Sequence, residues 1–363
     1  MTDPWRSEDR LLHLVSSALI ALERPELPDD SVYPEVVQRA VNAVALAFIR
    51  AGREAPLSVP VLVDLATSPP SEWGIGIDLD VPLLHEYSLA PTDACRSWKI
   101  AGSDPETEWF ENEIMIPAIT KCTQEGDQAG YTAFRRLLIE RPVLSAVEFE
   151  AACDDPAFWT VADLLPACFP KAPAAYAYGG RYAVCAGCRT LMRPNVFGGW
   201  ACELDRCAQA GENEPADYLE PHAGSAPRLL AAPLRTFVTG PGLVEIELER
   251  RLLKLGLDVA MWPDFDEYDL LVTFPDGSAW GIDAKDQQSG RLLGRSLKKL
   301  PDTDRLGRFY IAVPDHRLDP GGNYLAAFNA GCDPDLRPRI RFASATQVVR
   351  EARRYLKELK DHA

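Results

Sequence analysis

Hydrophobic residues recur at helical spacing through the first half of the chain. Over residues 7–23, and again over residues 33–50, large apolar side chains repeat every three or four positions, which predicts two amphipathic helices. A third helix is predicted over residues 127–140. Prolines and glycines interrupt the pattern over residues 57–104, so it predicts no topology there. We therefore expect a mainly helical region over residues 1–175.

The pattern of the last third predicts a helix followed by short buried strands. Residues 242–256 carry leucines at spacings of four and three positions, which is typical of a helix. Two apolar runs, at residues 270–272 and 279–282, are joined by a Pro-Asp-Gly turn and predict a pair of strands. The elements predicted after this pair are a basic helix over residues 290–300 and a buried strand over residues 308–313. Their order predicts a mixed sheet flanked by helices.

Charged residues stand at the ends of the predicted strand pair. Asp269 precedes the first strand, and Asp283 and Lys285 end the second. Side chains alternate along a strand, so Asp283 and Lys285 share a face, and strand pairing brings Asp269 beside them. Carboxylates are the ligands that Mg²⁺ prefers, and a lysine can orient the attacking water and offset developing charge. The pattern therefore favours metal-assisted phosphodiester cleavage. The alternative is a surface hairpin with solvated charges, against which the apolar residues 280–282 indicate a buried strand.

This arrangement resembles the PD-(D/E)xK superfamily of restriction-endonuclease-like proteins. Asp269 matches the motif aspartate, and Asp283 with Lys285 matches the (D/E)xK part. The resemblance implies a Mg²⁺-dependent endonuclease in which Asp269 and Asp283 bind the metal and Lys285 is catalytic. It also implies an acid from the preceding helix. We expect this to be Glu245, which lies further from the end of the helix, with Glu249 one turn later as the reserve.

Four cysteines form a second pattern with chemical meaning. Cys185 and Cys188 make a C-x2-C pair, and Cys202 and Cys207 make a looser pair after thirteen intervening residues. Two such pairs suit tetrahedral Zn²⁺ bound by four thiolates, and closed sites of this kind are structural. The wider second pair departs from the commonest spacing, and the alternatives are disulfides or chance. We expect a zinc ribbon over residues 180–212.

Composition divides the chain into an acidic and a basic part. The formal net charge is −16, yet residues 291–363 contain fifteen Lys or Arg against nine Asp or Glu. A basic surface within the predicted nuclease domain suits contact with phosphates, although basic residues of a last helix can also be only its solvated face. The acidic remainder argues against strong DNA binding by the first half and favours a protein-facing role.

These predictions define a multidomain α/β (α+β) protein. Its predicted parts are a helical N-terminal region over residues 1–175, a zinc ribbon over 180–212 and a restriction-endonuclease-like domain over 234–363. Residues 211–233 are rich in proline and small residues, which predicts a linker between the last two.

The layout is similar to that of the restriction-endonuclease-like component encoded beside pPIWI-RE proteins, which resemble Argonaute, and a DinG-type helicase. The resemblance implies cleavage of DNA rather than RNA in bacterial defence against mobile elements, with the pPIWI-RE protein and the helicase as partners. The alternative function is a zinc-ribbon adaptor that binds nucleic acid or a partner without cutting. The presence of Asp269, Asp283 and Lys285 together favours the enzyme.

Three observations concern the cellular compartment. The other five cysteines show no pairing pattern, which is typical of a reducing environment. The N-terminus shows no secretory signal, and the apolar runs are too short to span a bilayer. We therefore expect a cytoplasmic protein.

Overall fold

The chain forms two compact units in the computed structural model. The described residues are 7–23, 32–100, 110–195, 198–221, 225–297, 299–301, 305–318 and 323–362. The first unit comprises Met1–Glu108 with Asn195–Gly198, and the second comprises Trp109–Pro194 with Gly199–Ala363. Both the cysteine pairs and the predicted nuclease residues belong to the second unit. The three-part division expected from the sequence stays a prediction.

The first unit is helical, as the pattern of its sequence predicts. Its helices are α1 (Ser7–Glu23), α2 (Glu35–Arg50), α3 (Val59–Ala66) and α4 (Asp93–Ile100). Helix α2 begins after Pro34, and its buried face contains the periodic residues Val37, Val41, Val44 and Phe48. No helix in the described part of the chain combines the length and apolar character needed to cross a membrane.

The second unit contains the remaining helices. In chain order they are α5 (Ile116–Glu125), α6 (Gln128–Glu140), α7 (Ala146–Asp154), α8 (Leu165–Cys168), α9 (Asp205–Gln209), α10 (Ala232–Leu234), α11 (Gly240–Leu253), α12 (Gly290–Ser296), α13 (Asn323–Gly331) and α14 (Ala345–His362). Helix α6 begins where the sequence predicts, because the Asp127 carboxylate accepts the Gly130 N–H at 2.8 Å and caps its first turn.

A five-stranded mixed sheet lies in the second unit. Its strands, in spatial order, are β12 (Arg341–Ser344), β11 (Arg308–Val313), β10 (Ala279–Ala284), β9 (Leu270–Thr273) and β8 (Asp258–Met261). Strands β8, β9 and β10 pair antiparallel, whereas β10, β11 and β12 pair parallel. The predicted turn joins β9 to β10, with Gly277 in the left-handed region at φ 79°. The predicted mixed α/β fold is therefore confirmed.

The main hydrophobic core joins this sheet to helices from both sides of the cysteine segment. Trp280 and Tyr310 of the sheet share the core with Leu248 of α11 and Val348 of α14. Phe134 of α6 belongs to the same core, so α6 packs as part of the sheet's own hydrophobic layer. A second cluster, formed by β11 with α12 and α13, covers the other face.

The cysteine segment forms small antiparallel sheets, and one of them corrects a sequence prediction. Strands β2 (Ala177–Tyr178) and β6 (Pro215–Leu219) flank β3 (Arg181–Cys185). Residues 211–233, predicted to be a linker, thus contain β6 as well as β7 (Arg228–Leu229), which pairs with β1 (Val143–Leu144). The linker prediction is wrong because Pro215 is the first residue of β6 and Pro227 directly precedes β7, positions where a proline displaces no ladder hydrogen bond. Strands β4 (Arg193–Pro194) and β5 (Trp200–Ala201) lie between the cysteine pairs and pair antiparallel.

Candidate functional site

The structure brings together the three residues of the predicted catalytic motif. Strands β9 and β10 pair Leu270 with Ile282, so the next residue on each strand places Asp269 opposite Asp283. The Lys285 ammonium lies 2.6 Å from Asp283 Oδ1 and 3.4 Å from Asp269 Oδ2. The backbone N–H of Lys285 donates to Ala312 O at 2.8 Å and extends the pairing with β11. Both carboxylates therefore converge on one cationic group.

Asp269 is a buried acid with like charges around it. Its side chain is only 6% exposed, and Oδ2 accepts the Ala284 N–H at 2.6 Å. Burial, with Glu245 and Asp283 nearby, raises the pKa of Asp269 well above its ordinary value, although Lys285 opposes the rise. For Lys285, burial alone would lower the pKa, but the carboxylates of Asp269 and Asp283 raise it above the ordinary value. The site thus favours a cation between these acids.

Glu245 extends from α11 into the same electrostatic environment. It is 2% exposed, and its Oε2 accepts hydrogen bonds from Trp262 Nε1 at 2.5 Å and from Arg135 Nη2 at 3.3 Å. Burial raises the pKa of Glu245, and the positive charges of Arg135 and Lys285 oppose that rise. Glu249, the reserve, pairs instead with Arg136. Of the two helix acids, Glu245 is therefore the one coupled to Asp269 and Lys285.

In the segment before Asp269, four residues other than glycine adopt the left-handed backbone conformation. Trp262, Asp264, Phe265 and Asp266 have φ values of 46°, 52°, 58° and 78°. Each such residue costs about 1–2 kcal/mol, so the turn persists only where contacts hold it. We call residues 262–266 the left-handed turn below. It lies between β8 and β9, and Asp269 directly precedes β9.

The acids present the donor chemistry that Mg²⁺ requires. Asp269 and Asp283 offer carboxylate oxygens at the place where the lysine ammonium neutralises them. A close ligand set is a group of at least three His, Cys, Asp or Glu residues whose ligand atoms all lie within 4.8 Å of one another. Within the described ranges, the four cysteines form the only such group. The oxygen site therefore rests on the aspartate pair, with Glu245 coupled electrostatically rather than as a third close ligand.

The four predicted cysteines form one cluster in the second unit. The sulfurs of Cys185, Cys188, Cys202 and Cys207 lie within 4.8 Å of one another. Ligands bound to tetrahedral zinc at about 2.3 Å are separated by about 3.8 Å, so this cluster fits the ion. Cys188 Sγ and Cys202 Sγ are 3.4 Å apart, too far for a disulfide, and none of the nine cysteines forms a disulfide.

Helix α9 connects the cysteine cluster to the strand that ends in Lys285. Arg206 donates to Gly240 O at 3.0 Å at the start of α11 and lies 3.7 Å from Asp286. Asp286 also accepts a hydrogen bond from Arg317 Nε at 2.8 Å. Gln288 donates to Asp205 Oδ2 at 2.9 Å. The residues after the motif lysine are thus held by the helix that contains Cys207.

Arg135, Trp262 and Asp266 are site residues that the sequence did not reveal. Arg135 lies in an ordinary amphipathic helix, 110 positions before the acid it contacts, and no local pattern marks it. The sequence contains one signal for the left-handed turn, because acidic residues lie close together just before Asp269. Their roles depend on a backbone conformation that residues with side chains rarely adopt.

A mixed sheet with this acid pair and lysine at its strand ends is the arrangement expected of the restriction-endonuclease-like class. Residues 242–360 match the family model described as REase associating with pPIWI_RE. Residues 11–145 match the model described as pPIWI_RE three-gene island domain Y. Two segments of the chain thus match families of the pPIWI-RE island, one of them restriction-endonuclease-like, which confirms the resemblance that the sequence indicated. No curated protein and no solved structure matches it.

Proposed function

We propose that this protein is a metal-dependent endonuclease that cleaves phosphodiester bonds of DNA. The main support is the convergence of Asp269 and Asp283 on the ammonium of Lys285, at the ends of two adjacent strands. A buried carboxylate such as Asp269, whose pKa is raised by burial and by neighbouring acids, is costly for folding, and such groups are typical of functional sites. The match of this segment to a restriction-endonuclease model supports the same function.

The side chains divide the work of hydrolysis. Asp269 and Asp283 would hold Mg²⁺, which when bound polarises phosphate oxygens and makes water more acidic. Lys285 presents an ammonium with three N–H donors, positioned to orient the attacking water and to offset charge on the phosphate. Glu245 adds negative charge behind this pair and is itself held by Arg135 and Trp262.

The substrate and partner proposals rest on charge and on the island matches. Helix α14 exposes a row of basic side chains suited to a DNA backbone, namely Arg350, Arg353, Arg354, Lys357 and Lys360. The two family descriptions tie the chain to the pPIWI-RE island, so we propose the pPIWI-RE protein and the DinG-type helicase as partners. Defence against mobile elements in the cytoplasm is the role that these partners imply.

We further propose that Cys185, Cys188, Cys202 and Cys207 bind a structural zinc ion. Their sulfurs lie within 4.8 Å of one another, and three of the four residues are buried. Closed four-thiolate sites stabilise small folds that have little hydrophobic core of their own.

The test is cleavage of supercoiled plasmid by the purified full-length chain in Mg²⁺, in Ca²⁺ and in chelator. We expect nicking in Mg²⁺ only, with DNA binding retained in Ca²⁺, because the looser coordination of Ca²⁺ positions water poorly. The assay is repeated with the pPIWI-RE protein present. Binding without cutting under every condition contradicts the proposal and supports the adaptor function.

A further inference from the structure

Helix α6 contacts the nuclease site although it lies far before it in the sequence. The helix falls inside the domain Y match at residues 11–145, whereas Glu245 falls inside the endonuclease match at residues 242–360. Both the helix and the acid belong to the second compact unit, and apolar residues of α6 and of α11, the helix of Glu245, share its main core. The two family segments therefore meet at the candidate site.

Two side chains of α6, Gln128 and Tyr131, form hydrogen bonds with the left-handed turn. The Gln128 amide donates to Trp262 O at 2.9 Å and accepts the Phe265 N–H at 3.0 Å. The Tyr131 hydroxyl donates to Asp266 Oδ2 at 2.9 Å. These hydrogen bonds satisfy backbone and side-chain groups of a conformation that is costly in isolation. Helix α6 thereby fixes the segment that leads into Asp269.

Arg135 is the side chain of α6 that joins this turn to the helix acid. Its guanidinium is 8% exposed and lies 3.3 Å from Glu245 Oε2 and 3.6 Å from Asp266 Oδ2. It also stacks 5.2 Å from the centre of the Trp262 ring, whose N–H donates to Glu245. Without the Arg135 cation, the carboxylates of Glu245 and Asp266 would lose the partner that they share. Among these groups, buried Glu245 would keep only the Trp262 N–H as a hydrogen-bond donor.

We infer that Arg135 is a positioning residue of the nuclease site, acting through Glu245 and the left-handed turn. The segment that matches domain Y thus completes the site of the endonuclease segment. The activity part of this inference rests on the proposed function. Its metal-binding part does not require cleavage.

The test compares Arg135→Gln and Arg135→Lys with Arg136→Gln in the full-length protein. Arg136 is a matched control. It follows Arg135 in the same helix, forms an ion pair with Glu249 of α11, and lies 5.8 Å from the same Trp262 ring. The first readout is the rise in unfolding temperature with Mg²⁺ concentration. The second readout is the rate of plasmid cleavage.

We expect Arg135→Gln to weaken Mg²⁺ binding and to slow cleavage by about 10-fold or more, the size typical of residues that orient metal ligands. Arg135→Lys should recover part of both, because it retains the charge but not the two-armed geometry. Arg136→Gln should respond to Mg²⁺ like the wild type. In a protein that already contains Glu245→Gln, Arg135→Gln should weaken Mg²⁺ binding less than it does in the wild type, because the two residues act as one unit.

A wild-type Mg²⁺ response in Arg135→Gln, or an equal loss in Arg136→Gln, overturns the inference. Independent effects of Arg135→Gln and Glu245→Gln overturn it as well. If the wild type and the variants respond to Mg²⁺ as expected but the wild type does not cut DNA, the proposed nuclease function is contradicted and the positioning role of Arg135 stands. A wild type with no response to Mg²⁺ contradicts both.

Discussion

At the scale of single residues, the site is a balance between buried acids and two cations. Asp269 and Glu245 are both nearly inaccessible, and burial raises the pKa of each. Lys285 opposes the rise for both, and Arg135 opposes it for Glu245. The acids therefore disfavour folding in the absence of a bound cation, which is expected of groups selected for chemistry rather than for stability.

Replacing Asp269 with Asn should change how stability depends on pH in the metal-free protein. Because the pKa of Asp269 is raised in the folded state, its favourable contribution is present below the ordinary value near 3.9 and is lost as the pH rises through the raised value. We therefore expect the difference in unfolding temperature, Asp269→Asn minus wild type, to increase from acidic to neutral pH when it is measured in chelator. Cleavage should be abolished.

Asp276, in the turn between β9 and β10, is a control with the opposite sign. Hydrogen bonds from Ser278 hold the pKa of Asp276 below its ordinary value, so its contribution is present above that value and is lost as the pH falls. Asp276→Asn should be less stable than wild type at neutral pH, with a difference that shrinks in acid. If Asp269→Asn shows this same trend, the assignment of a destabilising buried charge to Asp269 is wrong.

At the scale of elements, the cysteine segment supports the site through α9. Arg206 and Asp205 contact residues just after Lys285 and at the start of α11, and Cys207 lies in the same short helix. A helix of this length has little stability by itself. Its position therefore depends on the cluster of thiols, and a bound zinc ion would fix it.

Replacing Cys188 with Ser should remove zinc and weaken both the ribbon and the catalysis. The wild type should contain about one zinc per chain, and the variant should lose on the order of 4 kcal/mol of unfolding free energy, as is typical when a structural metal is lost. Cleavage should fall because α9 no longer holds the segment after Lys285. Metal analysis, thermal unfolding and plasmid cleavage measure the three effects.

Cys153→Ser is the control, because Cys153 is a partly exposed thiol outside the cluster. It should keep zinc, stability and activity near wild type. A Cys188→Ser protein with unchanged zinc content and stability would remove the zinc site from the account.

The sequence predicted most elements because their patterns are local. Helix α1 and strand β11 have the predicted bounds, while α12 ends at Ser296 rather than at residue 300. The motif residues were also found, since strand alternation and a tight turn suffice to bring them together. Arg135 was not, because its contact spans 110 positions and depends on how α6 packs. Strand β6 was missed because its proline, Pro215, and the prolines after it resemble those of a linker.

At the scale of the whole molecule, the chain joins two island-specific segments in one protein. The domain Y match runs from the first unit into α6 of the second, where it meets the endonuclease segment. The net charge of −16 contrasts with the basic face of α14. This contrast favours DNA contact along the nuclease segment and protein contacts elsewhere.

The central claim is that Lys285 and its two carboxylates form a catalytic site, and cleavage by Lys285→Ala tests it most directly. Lys121→Ala is the matched control, because Lys121 is similarly exposed, at 36% against 35%, and also pairs with an aspartate. The assay measures plasmid nicking in Mg²⁺ and in chelator, together with DNA binding. We predict that Lys285→Ala binds DNA but does not cut it, while Lys121→Ala cuts like the wild type. Cutting by Lys285→Ala at the wild-type rate would contradict the account.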